Sequence, residues 1–339
     1  MGRSFSGIQP TADIHLGNYL GALRGWVKEQ DEHECFFCIV DLHALTVPQR
    51  STNLRAQTLG TAAMLLAIGI DPLRSSLFVQ SQVHEHAELA WIMDCLTSLG
   101  ELRRMTQFKQ KAVKGRETGT SAGLLTYPVL QAADILLYQA DRVLVGEDQR
   151  QHLELTRTLA SRFNHRFGKV FRLPAALYPR TGARIMDLQN PHVKMSKSSE
   201  SSQGIIRLVD PPEVIQQKVR SAVTDSGKEI VVSADKPAIT NLLTIFAALN
   251  GTDPATLTDA FEGWSYEQFK AKLAEALIGI LRPIRERYLQ WMKSADELIQ
   301  HLVAGAERAT AIASGTMSAV REHLELLQGR MPVKSRLRN

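Results

Sequence analysis

The chain has 339 residues, 44% hydrophobic and 22% charged, with a net charge of +5 and a pI of about 9.1. These values exclude a disordered chain, favour two domains over one core, and lean toward polyanionic partners. Three cysteines, Cys35, Cys38 and Cys95, are too few for a disulfide framework, the start MGRSFSGIQP lacks a secretory apolar stretch, and no apolar window is long enough to span a membrane; a cytoplasmic location without membrane partners is expected.

In chain order, SFSGI is the first predicted strand. A turn with Pro10 follows, then a helix over 17–30 opened by Gly17 and Asn18, with Leu20, Leu23 and Val27 on one face. Exposed N–H groups at such a helix start suit a phosphate, with His15 and Asn18 as flanking donors; a turn histidine and an N-cap asparagine are the plainer alternative. Neither GxGxxG nor GxxxxGK[ST] occurs, so the common dinucleotide and P-loop sites lack their carriers. CFFCIVDLHAL is expected as a buried strand whose Cys35 and Cys38 face opposite ways, which argues against a metal or redox CxxC. A helix over 53–69 ends at IGIDP, and SSLFVQS is the next strand. HEHAE sets His84, His86 and Glu88 two apart, a spacing that turns them away from one another on a helix, and no metal-ligand set is assigned.

The strand RVLV runs into GEDQRQH. There Gly146 permits close approach, Asp148 can accept from two ribose hydroxyls, and Gln149 can donate and accept; a helix start favouring acids accounts for Glu147 and Asp148 equally well. With helices over 87–99 and 149–163, the alternation predicts an α/β fold, a doubly wound parallel-sheet (Rossmann-like) domain with its ligand site at the carboxyl ends of the strands. The loop NPHVKMSKSSESSQG carries Lys194 and Lys197, and everything beyond it is helical in pattern. The expected organisation is a parallel-sheet domain over 1–199, an all-helical region over 200–300, and a last helix with a basic tail over 301–339 that packs back on the first domain.

HLGN, GEDQ and KMSKS on one chain resemble the signatures of the class I aminoacyl-tRNA synthetases. FSGIQPTADIHLGNYLGAL, FFCIVDLHALTV, GELRRMTQFKQK, AGLLTYPVLQAADILLYQADRVLVGEDQRQHLELTR, GARIMDLQNPHVKMSKS and SAVTDS are similar to the bacterial tryptophanyl-tRNA synthetases within that family. The resemblance implies activation of L-tryptophan by ATP, with Mg2+, to tryptophanyl-adenylate and pyrophosphate, followed by charging of tRNA(Trp), in a homodimer that does not engage DNA. A tyrosyl-tRNA synthetase or another class I nucleotidylyl-transferring enzyme is the alternative. It further implies catalytic roles for Lys194, Lys197, Lys111, Asn18 and His15. An ATP site would comprise Gln9, Pro10, Thr11, Gly17, Asn18, Gly146, Glu147, Asp148, Ile185, Lys194, Met195, Ser196, Lys197 and Ser198. Asp134 would accept the indole N–H between walls from Phe5, Gly7, Val40, His43, Tyr127, Gln131, Ile135, Val143 and Val145, with Gln149 at the substrate's polar end. His15, Leu42 and Gln131 depart from the commoner Thr, Gln and Met of the resembled family, and Gln131 makes the pocket wall more polar.

Overall fold

The computed structural model describes residues 2–10, 14–46, 53–106, 108–109, 121–146, 149–177, 184–196 and 201–327. Five parallel strands, β1 (Arg3–Ile8), β2 (Glu34–Ile39), β3 (Ser76–Val79), β4 (Arg142–Leu144) and β5 (Ala175–Leu177), form one sheet in the order β3-β2-β1-β4-β5. Phe5 pairs with Phe36 on one side and Val143 on the other. The chain therefore winds outward from β1 to β3 and then returns to the far side of β1 with β4. That reversal opens a crevice between β1 and β4 at their carboxyl ends, the place where such sheets bind ligands.

Around the sheet lie α1 (Leu16–Asn18), continued through a π turn at Tyr19–Leu23 into α2 (Arg24–Glu29), then α3 (Asp41–Ala44) and α4 (Leu54–Ile68). There follow α5 (Glu85–Asp94), α6 (Leu99–Arg103), α7 (Ala122–Leu136) and α8 (Arg150–Phe167). The C-terminal part is built of α9 (Pro212–Arg220), α10 (Pro237–Asn250), α11 (Tyr266–Lys293) and α12 (Ala295–His323).

β2 shows why a strand covered on both sides can lack a polar face. Cys35, Phe37 and Ile39 enter one apolar cluster, with α4 and the C-terminal helices, while Phe36, Cys38 and Val40 enter another, with α5, α7 and α8. A strand covered on both sides gains from apolar residues at every position. The edge strand β3 is sealed by α12, whose Leu298 and Leu302 join the first cluster and whose Ala306, Ala309 and Met317 join the second. At the crossing a Cβ on Gly305 would lie 1.9 Å from the Leu77 carbonyl oxygen, so only glycine fits, and the edge has no room for a foreign strand. Gly69, at φ +114°, ends α4 while Ile70 N donates to Leu65 O at 3.1 Å, as the IGIDP breaker requires.

Four local expectations change. β2 stops at Ile39, because Asp41 turns to accept from Ser81 N at 3.0 Å and Leu42 N donates to Gln80 Oε1 at 3.1 Å, which bends the chain into α3. The first helix opens at Leu16, not Gly17: His15 is its N-cap, and Asn18 accepts from His15 N through Oδ1 at 3.2 Å. The helix expected over 87–99 is two, since α5 ends at Asp94 and Ser98 caps α6 through a reciprocal pair with Glu101. β5 was not foreseen, being three residues long beside Pro174. Among the described residues no helix is long and apolar enough to cross a membrane.

Candidate functional site

Both flanks of the crevice are organised by strand ends. On the first, β1 hands over to Gln9, exposed, and Pro10, buried. His15 is buried and caps α1, and a Cβ on Gly17 would stand 3.1 Å from the His15 ring and 3.8 Å from Ile185 Cβ. Gly17 and Ile185, far apart in sequence, are thus neighbours, and the start of α1 keeps its backbone accessible only because residue 17 lacks a side chain. This helix start is tied to the segment beyond the lysine loop: Leu16 N donates to Ile206 O at 2.8 Å, and Leu208 N to Ile14 O at 3.0 Å.

The loop itself rises from a two-rung base. Asp187 N donates to Val193 O at 2.8 Å and Met195 N to Ile185 O at 3.0 Å, which bridges Met186 to Lys194. Asp187 Oδ1 accepts from Gln189 N and Asn190 N at 2.8 and 3.2 Å, turning the chain. Gly204 closes on it so tightly that a Cβ would lie 1.9 Å from Asp187 Oδ1. From α10, the buried Asn241 accepts from Met186 N at 2.9 Å and donates to Met186 O at 3.0 Å. From α9, the buried Lys218 donates to Ile205 O and Asp210 Oδ2, each at 2.7 Å. The result leaves Lys194 exposed, buries Met195, and half-buries Ser196.

The second flank is a web of side chains around Asp134, which is 1% exposed on α7. Its Oδ2 accepts from His43 Nε2 at 2.8 Å; its Oδ1 accepts from Gln80 Nε2 at 2.7 Å and His86 Nδ1 at 2.6 Å. Burial pushes the carboxyl's pKa up, but the attraction and hydrogen bond of His43, with those of His86, outweigh it and hold Asp134 below the ordinary carboxylate range. His86 Nε2 lies 2.8 Å from the Tyr138 hydroxyl, and the Tyr138 ring stacks on Phe5 and Phe36 at 5.5 and 4.7 Å. A carboxylate offers about four lone-pair positions, of which the web uses three, so one acceptor position on Oδ2 suits a ligand donor.

Tyr127 and Gln131 share the Asp134 face of α7 at helical spacing, both half-buried. The Tyr127 hydroxyl meets His152 Nε2 at 2.9 Å, and His152 Nδ1 meets Gln149 Oε1 at 2.7 Å. Val40, Ile135 and Val143 are buried with Phe5 in the floor, Val145 is half-buried, and Gly7 and Gly146 are exposed at the strand ends. A Cβ on Gly7 would come 3.1 Å from Val40 Cγ1, which keeps that rim open. Gln131, the more polar wall residue, is not among the three donors of Asp134. Thr11, Lys111, Glu147, Asp148, Lys197 and Ser198 lie outside the described residues.

Sequence reasoning missed Gln80, His86, Tyr138, His152 and Asn241. His86 had been weighed only as part of a metal triad; it faces Asp134 instead, and among the described residues no group of three or more His, Cys, Asp or Glu could hold a metal ion. A separate cavity of about 810 Å³, lined by Ile230, Phe261, Trp264 and Tyr266, lies in the helical part and takes in none of these groups.

The family described as tRNA synthetases class I (W and Y) matches residues 2–282. A tryptophan–tRNA ligase of Corynebacterium glutamicum is 51% identical over 330 residues, covering 97% of this chain and 96% of the relative. Among solved structures, tryptophanyl-tRNA synthetase from Mycoplasma pneumoniae superposes with a TM-score of 0.88 at 39% identity, covering 96% of this chain and 98% of that one. The enzyme from Campylobacter jejuni, complexed with ADP and tryptophan, gives 0.80 at 34% identity, covering 96% and 100%.

Proposed function

The chain belongs to the class I tRNA synthetases of the tryptophan and tyrosine group, and from that premise we propose that it has tryptophan–tRNA ligase activity, joining L-tryptophan to ATP and passing the tryptophanyl group to tRNA(Trp). The observation that carries the choice of amino acid is the buried Asp134 carboxylate, held by three donors beside an apolar floor. An indole is a large apolar slab with one donor and no acceptor, so it is best discriminated by apolar walls and one buried acceptor. A rival lacking that hydrogen would leave the carboxylate unpaired and be rejected.

In the first step the tryptophan carboxylate attacks the α-phosphorus of ATP as the bond from phosphorus to the pyrophosphate oxygen breaks. No covalent nucleophile from the protein is needed, and the barrier is one of charge and position. Lys194, Lys197 and Lys111 supply cations to the departing phosphates, while Gln9, Pro10, Thr11, Gly17, Asn18 and His15 hold the nucleotide against the start of α1. Gly146, Glu147, Asp148 and Ile185 border its ribose and adenine, flanked by Met195, Ser196 and Ser198. Mg2+ on the phosphates would neutralise part of their charge. In the second step a ribose hydroxyl of the terminal adenosine of the tRNA attacks the adenylate's carbonyl carbon and AMP leaves.

The same reading makes the enzyme a cytoplasmic homodimer, with residues 200–300 as its tRNA anticodon-binding region. Amino-acid-dependent ATP–pyrophosphate exchange across the twenty amino acids tests it. Exchange with tryptophan alone is expected; exchange driven by tyrosine and not by tryptophan would overturn the assignment.

A further inference from the structure

The buried positions of α9 are Ile215, Lys218 and Val219. The two aliphatic residues enter the first apolar cluster, but the third is a lysine only 4% exposed, and a cation in that position needs a reason. The reason lies in the chain it faces. Ile205 is extended, at φ −119° and ψ 122°, and the chain beyond it pairs with the HLGN turn: Leu16 N donates to Ile206 O and Leu208 N to Ile14 O, bridging His15 to Arg207 in antiparallel fashion. Successive carbonyls of an extended chain point opposite ways, so Ile205 O faces away from that turn, toward the side where a sheet would place another strand. A buried carbonyl must be paired. Lys218 Nζ donates to it at 2.7 Å in place of a strand's N–H, and donates to Asp210 Oδ2 at 2.7 Å as well. Asp210 Oδ2 also accepts from Arg207 N at 2.8 Å, and Asp210 N donates to Arg207 O at 3.1 Å, so a single ammonium ties both ends of the arch 205–210. Just upstream, Gly204 O accepts from Leu188 N at 3.0 Å, in the segment that carries the base of the lysine loop. The arch therefore joins that base to the HLGN turn, and Lys218 fixes its course from the α9 side.

We infer that Lys218 is a positioning residue for adenylate formation, holding the HLGN turn and the base of the lysine loop in one register through the arch between them. This rests on the ATP site proposed above. Lys218→Met keeps the apolar stem and removes the ammonium. Lys218→Met combined with Asp210→Asn also removes the carboxylate left unpaired, and serves if the single variant does not fold. The test is steady-state ATP–pyrophosphate exchange with each substrate varied in turn, beside equilibrium binding of tryptophan without ATP. In either variant the KM for ATP should rise and the exchange rate fall, each by about tenfold, while the KM and Kd for tryptophan stay within about twofold. The double variant should also recover denaturant resistance lost in Lys218→Met, yet keep the defect toward ATP. A lysine that serves stability alone predicts otherwise: the folded double variant would handle ATP as the unaltered protein does. That result, or an equal rise in the KM for both substrates, would overturn the inference and leave the site reading intact. Absence of tryptophan-dependent exchange in the unaltered protein would instead bring down the site reading, and this inference with it.

Discussion

The two flanks of the crevice are held by different kinds of bond. Around Asp134 every contact is between buried side chains, from α3, the end of β3, α5 and α7, all within the sheet half of the molecule. Around Lys194 the contacts are mostly main-chain rungs, and the side chains that secure them, Asn241 and Lys218, come from the helical half. In the proposed reading, amino-acid recognition thus belongs to one body, whereas phosphate handling is assembled between two. A site that must discriminate a single N–H gains from rigidity; a loop that must admit a triphosphate and release pyrophosphate gains from a base whose position another body sets.

The sharpest way to break this contrast is through the loop's second lysine, which lies outside the described residues. Lys197→Ala should slow adenylate formation by roughly two to three orders of magnitude with little change in tryptophan binding, as a contact made mainly in the transition state would. Single-turnover kinetics alongside equilibrium tryptophan binding decides it; an equal loss of tryptophan affinity would show that the flanks are not separable.

Asp134→Asn should do the opposite, raising the KM for tryptophan on the order of a hundredfold and removing selectivity against an analogue with sulfur in place of the indole N–H. It should also cost about 3–5 kcal/mol of stability, because three donors lose their common anion. The sign of its pH dependence follows from the depressed pKa of Asp134. A folded-state value below the unfolded value of about 3.9 means that the stabilisation is fully present at neutral pH and is lost as pH falls below about 4. Denaturant midpoints of the two proteins should therefore converge in acid; a gap that widens there would refute the ionised state.

How much of this was legible in the sequence follows from the same contrast. HLGN, GEDQ and KMSKS could be recognised because each is a contiguous run whose residue order alone carries the resemblance. The parallel sheet was legible because β1 to β4 are short apolar runs between helices of crossing length. Asp134 was recognisable too, but its partners were not: Gln80 and His86 lie 54 and 48 residues away, Gln80 arriving from the end of β3 and His86 through the packing of α5 on α7. His86 looked like one of three separated histidine and glutamate side chains, since spacing along a helix says which residues diverge but not which one faces a distant carboxylate. Asn241 sits 55 residues from the backbone it holds, in a helix whose pattern announces only an apolar face.

Asn241→Ala sharpens the contrast from the helical side. Loss of both bonds to Met186 should cost about 1–3 kcal/mol of stability and slow adenylate formation roughly tenfold, with the KM for tryptophan within twofold. Steady-state kinetics with each substrate varied in turn would show it. A tryptophan KM that rises with the ATP term would mean that the helical half also shapes the amino-acid pocket.

The smallest effect is expected at the outer edge of the web. Tyr138→Phe keeps the ring stacked on Phe5 and Phe36 but removes the hydroxyl bonded to His86 Nε2. One buried ring nitrogen loses its partner, at a cost of about 1–2 kcal/mol, while His86 Nδ1 still faces Asp134. The KM for tryptophan should change by less than about threefold, because the acceptor is still fixed by His43 and Gln80. If tryptophan binding instead fell as far as in Asp134→Asn, the histidine would have turned away with its tyrosine. Rigidity would then reside in the aromatic floor and not in the carboxylate's three donors.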